Sequence, residues 1–172
     1  GLNYYNRRTR EFKWYRPQEG RNSISHNNVK ALYYDADKEI IWIGTHLGGL
    51  NKLDIRSGHF THYRMEGNNP QSLPSDIIRD ITPYKDLLII ATQNGVCLFN
   101  PANGQCRQLF KDSKEGKSIK MVADVVFDSE GTLWIAATGE GVFSYRFDTR
   151  KLTNYRHDAA NPNSLSNNNV NN

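Results

Sequence analysis

Five histidines, His26, His46, His59, His62 and His157, and two cysteines, Cys97 and Cys106, are the side chains here best suited to hold a metal or act as nucleophiles. A structural zinc site needs Cys and His in closely spaced pairs. No such pairing occurs, and His59 with His62 reads as a solvated pair on an outer strand. Asp35 and Asp37 could serve as an acid/base pair, but they stand in the run Asp35-Ala36-Asp37-Lys38, whose residue types favour a tight turn. There is no GxSxG, HExxH, phosphate-binding or dinucleotide fingerprint. The sequence therefore predicts no catalytic residue, no metal and no cofactor. Cys97 and Cys106 flank the segment Asn100-Pro101-Ala102-Asn103-Gly104. If Phe99 faces Gly104, the cysteines are directly opposed, about 4.5–5.5 Å apart at Cα, within disulfide range. Cys106 also occupies the position of Phe12, Phe60 and Leu152 in other copies of a repeat set out below, where it would act as a small buried hydrophobe. Both readings stay open.

The chain has 172 residues, 37% hydrophobic and 23% charged, enough for one domain with a core. Its net charge of +4 is scattered, with Arg7, Arg8 and Arg10 the only dense basic group and both signs mixed across Lys111 to Lys120. Nucleic-acid binding needs clustered cations, so that class is set aside. Apolar stretches such as Ile40 to Ile43 and Leu87 to Ala91 fall far short of the ~20 residues of a spanning helix, and membrane contact is not expected of this segment. Nothing resembles a signal peptide and the first residue is not Met, which reads as a piece of a longer protein.

Three markers recur in one register. A Gly-apolar pair stands at Gly1-Leu2, Gly49-Leu50, Gly95-Val96 and Gly141-Val142, with spacings of 48, 46 and 46. Tyr15, Tyr63, Leu109 and Tyr155 follow fourteen positions after each Gly. A Ser-apolar pair stands at Ser23-Ile24, Ser72-Leu73, Ser118-Ile119 and Ser164-Leu165. Ile41-Trp42-Ile43-Gly44-Thr45 is echoed by Leu133-Trp134-Ile135-Ala136-Ala137, with Trp42 and Trp134 92 residues apart. Within one period, Val29 to Tyr34, Ile40 to Thr45, Leu50 to Leu53 and Phe60 to Arg64 read as short strands between turn residues.

Four strands repeated in tandem at this period predict an all-β fold, a β-propeller fragment of four-stranded antiparallel blades. One such sheet cannot bury both faces alone, so blades must stack, and Trp42, Trp134, Phe12, Phe60 and Leu152 are expected to be inter-blade core. At about 46 residues per blade, 172 residues hold roughly 3.7 repeats. Residues 1–16 supply the last two strands of a blade, 29–65, 77–111 and 122–157 are blades, and 158–172 form an inter-blade loop and the start of the next blade. Open edges would then be covered by a parent protein or by another copy.

Ser72-Leu73-Pro74-Ser75-Asp76-Ile77, then Trp-Ile-Gly-Thr, Gly-Gly-Leu, Gly58, Phe60 and Tyr63, resembles the two-component regulator propeller repeat. Asp128 to Ile135 and Asn163 to Val170 fit the same pattern, whereas the copy around Ile89 lacks Trp and has a shortened loop at Lys117 to Met121. The resemblance implies a seven-bladed propeller in the periplasmic region of a bacterial hybrid two-component receptor that senses oligosaccharides. The expected partners are then the remaining blades and domains of that receptor, an oligosaccharide ligand, and a homo-oligomer of the chain. Propeller loops joining second to third strands emerge beside those joining blades, which places His46, Gln93, Asn94 and Glu140 on one face as candidate ligand-binding residues. Asn and Ser in these loops also suit turn and capping roles. An enzyme scaffold acting on polysaccharides and a purely structural interaction module are the alternatives. No acidic or His position recurs across copies, which weighs against the enzyme.

Overall fold

A computed structural model describes residues 1–113 and 116–171. Lys114 and Glu115, within the mixed-charge run, and Asn172, at the end of the expected next blade, lie outside the described residues. The chain forms β1 (Leu2–Asn6), β2 (Glu11–Tyr15), β3 (Val29–Asp35), β4 (Ile40–Thr45), β5 (Leu50–Asp54), β6 (Phe60–Tyr63) and β7 (Ile78–Tyr84). It continues with β8 (Leu87–Thr92), β9 (Gly95–Asn100), β10 (Gln105–Gln108), β11 (Val122–Phe127), β12 (Thr132–Ala137), β13 (Gly141–Arg146) and β14 (Lys151–Tyr155). Helical turns among the described residues are confined to the 3-10 segment Gly116–Ser118.

The strands make one two-stranded sheet, β1-β2, and three four-stranded sheets, β3-β4-β5-β6, β7-β8-β9-β10 and β11-β12-β13-β14, each an antiparallel meander. We call these blades A to D in chain order. The second strands are apolar nearly throughout, and β4 and β8 are buried along almost their whole length. A strand covered on both faces requires this composition. The first strands, β3, β7 and β11, run side by side from blade to blade and form the inner wall. Each carries a register shift at its start, between Val29 and Ala31, Ile78 and Asp80, and Val122 and Asp124. The same bulge in three copies re-aims the wall residues that follow it.

Three apolar clusters join the blades. Leu2 and Tyr15 of blade A meet Ile43, Leu53 and Phe60 of blade B. Trp42 and Leu50 of blade B, with Tyr63, meet Ile90, Phe99 and Cys106 of blade C. Ile89, Val96 and Leu109 of blade C meet Val125, Leu133, Phe143 and Leu152 of blade D. Each blade thus has a forward face, carrying the Trp42 and Tyr63 positions, and a backward face, carrying the Leu53 and Phe60 positions.

Of the expected core residues, Trp42 and Phe60 are buried. Phe12, by contrast, is 58% exposed, because it lies on the backward face of blade A, where no described sheet packs. Trp134 is half-buried for the mirror reason, lying on the forward face of blade D beside Tyr155. Leu152 faces blade C but sits at its rim and is also half-buried. The cysteines are joined by a disulfide with Cα atoms 5.9 Å apart. They are not directly opposed: Cys106 faces Phe99 and Cys97 faces Gln108. The four-residue loop between Asn100 and Gln105, closed by Gly104 at φ 73° with its N–H on Asn100 O at 2.9 Å, sets this register. The pair therefore bridges diagonally.

Candidate functional site

Where the second strands end, a belt of backbone hydrogen bonds crosses three blades. His46 N–H donates to Asn28 O at 2.9 Å, and His46 bridges Ile77 of the next blade. Gln93 N–H donates to Ile77 O at 3.1 Å, Met121 N–H to Gln93 O at 2.8 Å, and Thr138 N–H to Met121 O at 3.2 Å. His46 and Gln93 therefore flank one peptide and lie together at this mouth of the propeller. The His46 Nδ1 is buried without a partner among the described residues. Asn94 follows Gln93, but its Nδ2 donates to Pro74 O at 3.2 Å and its carbonyl accepts Gln108 Nε2 at 2.8 Å. Glu140 is one blade further on and is paired with Arg156. Of the four candidates, the structure brings His46 and Gln93 together and commits the side chains of Asn94 and Glu140 to neighbouring segments.

The Asn- and Ser-rich loops beside the mouth stitch the blades. Gly49, at φ 69°, donates its N–H to Asp76 O at 2.9 Å, and Gly141, at φ 82°, donates to Asn168 O at 3.0 Å. Gly1 makes the same bond to Asn27 O. A Cβ on Gly49 or Gly141 would stand 2.2 Å from the carbonyl oxygen of Tyr63 or Tyr155, so only glycine fits there. Asp76 also accepts Met65 N–H at 2.8 Å on Oδ1 and faces Arg64 across 3.6 Å on Oδ2.

The inner wall holds a group the sequence reading missed. Asp80 and Asp124 follow the bulges of adjacent blades, so an acidic position does recur in two copies, contrary to the sequence expectation. The two stand 44 residues apart, off the 46-residue period, which hid the recurrence; Arg79 and Lys30 hold the unpaired bulge positions. Burial pushes the Asp80 carboxyl above its ordinary value, and the neighbouring Asp124 adds to the rise, against hydrogen bonds from Ile81 and Thr82. Thr82 Oγ1 lies 3.1 Å from Asp80 Oδ2 and 3.0 Å from Val125 O. Its single proton serves one at a time and ties blade C to blade D. The available signal was the Ile78-Arg79-Asp80-Ile81 spacing, which breaks the two-residue alternation of a strand.

A second polar surface lies along the outer strand β10, where a groove of about 450 Å³ is lined by Gln71, Asn100, Gln105, Arg107, Gln108 and the apolar Leu98, among others. Amides, a guanidinium and an apolar floor suit hydroxyl-rich ligands. No group of three or more His, Cys, Asp or Glu among the described residues is arranged to hold a metal ion. No helix among the described residues is long and apolar enough to cross a membrane.

Residues 23–46 match the family model of the two-component regulator propeller. That stretch is the loop entering blade B, its inner strand β3 and its second strand β4. Among solved structures, the chain is similar to the extracellular domain of the hybrid two-component system BT3049 from B. thetaiotaomicron, with TM-score 0.77, 21% identity, and 86% of this chain and 21% of that chain covered. It is similar to the extracellular domain of BT4673 from the same organism, with TM-score 0.76, 22% identity, and 99% and 22% covered. An auxiliary nutrient binding protein of Bacteroides thetaiotaomicron VPI-5482 is more distant, with TM-score 0.57, 13% identity, and 74% and 30% covered. At these identities the likeness establishes the fold. The chain spans about a fifth of the length of the first two structures. No curated protein matches it.

Proposed function

We propose that this chain, which carries a two-component regulator propeller repeat at residues 23–46, is a non-catalytic, periplasmic sensor segment of a two-component receptor. In this reading it is one part of a larger extracytoplasmic region, whose further blades and domains are its partners, and it contributes to sensing an oligosaccharide. The observation that carries the proposal is the family repeat seated on the inner half of a blade whose geometry recurs in blades C and D. The likeness to extracellular domains of hybrid two-component systems supports it. His46 and Gln93 are the proposed ligand contacts, since they adjoin at the mouth.

The test is calorimetric titration of the chain with a panel of neutral oligosaccharides, repeated on His46→Ala with Gln93→Ala and on Gln105→Ala with Arg107→Ala. A saturable signal lost in the first pair places recognition at the mouth. Loss in the second pair moves it to the groove along β10. A flat titration for every saccharide removes this segment from ligand recognition.

A further inference from the structure

Thr82, on the inner strand β7, stands between two acceptors that belong to different blades. Its Oγ1 lies 3.1 Å from Asp80 Oδ2 on its own strand and 3.0 Å from Val125 O on β11 of blade D. A hydroxyl has one proton to give and lone pairs to receive another. Which acceptor Thr82 serves is therefore decided by the state of Asp80. As a carboxylate, Asp80 only accepts, and a charge-assisted bond is the stronger of the two. Thr82 then gives its proton to Asp80, and Val125 O loses it. As a carboxylic acid, Asp80 donates to Thr82 Oγ1, and Thr82 passes its own proton on to Val125 O. Two hydrogen bonds then run in series from blade C to blade D, each polarising the other.

The surroundings set how readily Asp80 changes state. Of the strands packed against β7, β4 and β8 carry no ionisable side chain. Strand β3 carries Lys30 at its bulge, just before Ala31, the equivalent of Asp80, with Tyr33, Tyr34 and Asp35 further along. Strand β11 carries Asp124, the equivalent of Asp80 in blade D, and β7 itself adds Arg79 at its bulge and Tyr84 at its end. Burial above all, then the charge of Asp124, raises the Asp80 carboxyl above its ordinary value, against the Ile81 and Val125 N–H groups and the Thr82 hydroxyl. Val125 thus turns its N–H as well as its C=O toward blade C. The N–H keeps an acceptor in either state, since a protonated carboxyl still accepts; only the C=O gains or loses a partner. The joint between blades B and C is built differently. Its matching positions are Ala31 and Tyr33, packed in the apolar cluster, with no carboxylate between them.

We propose that Asp80 and Thr82 form a proton-operated latch between blades C and D: protonation of Asp80 hands the Thr82 hydroxyl to Val125 and fastens the inner wall, and ionisation takes it back. The latch goes beyond the sensor reading and stands without it, because it depends on this joint alone.

The experiment follows the Val125 carbonyl carbon by NMR, through the amide of Val126, in the isotope-labelled 172-residue chain. The Asp80 carboxyl carbon is recorded beside it from about pH 3 to 8, a range that brackets ordinary and raised Asp values. The native Val125 carbonyl should step with the same midpoint as the Asp80 carboxyl, lying downfield at the acid end, where it accepts the bond. Asp80→Asn carries an amide that donates to Thr82 in place of the acid proton, so its Val125 carbonyl should hold the acid position at every pH. Thr82→Val keeps the shape without the proton, and its Val125 carbonyl should stay upfield with no step. A native Val125 carbonyl that shows no step overturns the proposal. So does a step of equal size in Thr82→Val, which would trace it to charge alone, or an Asp80→Asn chain whose Val125 carbonyl takes the alkaline position.

Discussion

Asp80 shows how a single side chain reports on its surroundings. Its carboxyl titrates above the ordinary range, chiefly because it is partly buried. Folding therefore favours its neutral form, and the stability it lends is complete at low pH and is lost as pH rises through its folded-state pKa. Asp80→Asn should accordingly gain melting temperature relative to the native chain as pH is raised from about 3 to 7, with the gap nearly closed at the acid end. A gap that stays constant with pH would show that Asp80 is not destabilised by burial. The tryptophans make a second comparison. Trp42→Ala should cost roughly 3–5 kcal/mol in denaturant titration, the usual loss for a buried large side chain. Trp134→Ala should cost less than half of that in a monomer, since it is packed on one side only. Repeat position identified both tryptophans and both phenylalanines as joint residues, but position says nothing about whether a neighbour is present. That is why Phe12 and Trp134 differ in exposure from their equivalents. The disulfide belongs here as well: a denatured, unreduced chain should release no thiol to a colorimetric reagent and two after reduction, and two thiols without reduction would show that the bridge does not form.

At the level of strands and loops, the alternation of apolar runs with turn residues made the blades legible, and β4 begins and ends where its composition predicted. The hairpin between β9 and β10 was less so. A register depends on where the loop begins, and a four-residue loop that starts after Asn100 rather than after Phe99 moved the partner of Phe99 from Gly104 to Cys106. The bulges escaped notice because an extra unpaired residue leaves composition unchanged and alters only phase. The loops at the mouth were legible as turns, yet their reach back to the glycine of the preceding blade could not be read from a single copy. That reach is testable. Gly49→Ala places a methyl against the Tyr63 carbonyl and demands a positive φ from alanine, so it should lower stability by about 2 kcal/mol or more. Gly58→Ala shares a positive φ but meets nothing within 4 Å, and should cost only about 1 kcal/mol. Equal losses would mean that the carbonyl contact is unimportant.

Among the described residues, the three apolar clusters each join blades adjacent in sequence, and stability should follow the sum of these three joints. Hydrogen exchange should then be slowest in β4, β5, β8 and β9, which have a sheet on either side, and fastest in β1 and β2, whose backward face is open. Uniform protection would argue for one indivisible cooperative unit. Periodicity in the sequence made this stack legible, while the candidate site was visible only as a set of positions on one face. What separated His46 and Gln93 from Asn94 and Glu140 was the backbone belt and the bonds spent on neighbouring loops, which are long-range features. The glycine-to-loop bonds also have a mechanical consequence. Because each loop is fastened to the blade it leaves, tension applied to the chain ends would be carried across one fastening after another. Stretched between a tip and a surface, the chain should yield in discrete steps of about 160 Å, the contour length freed by one 46-residue repeat.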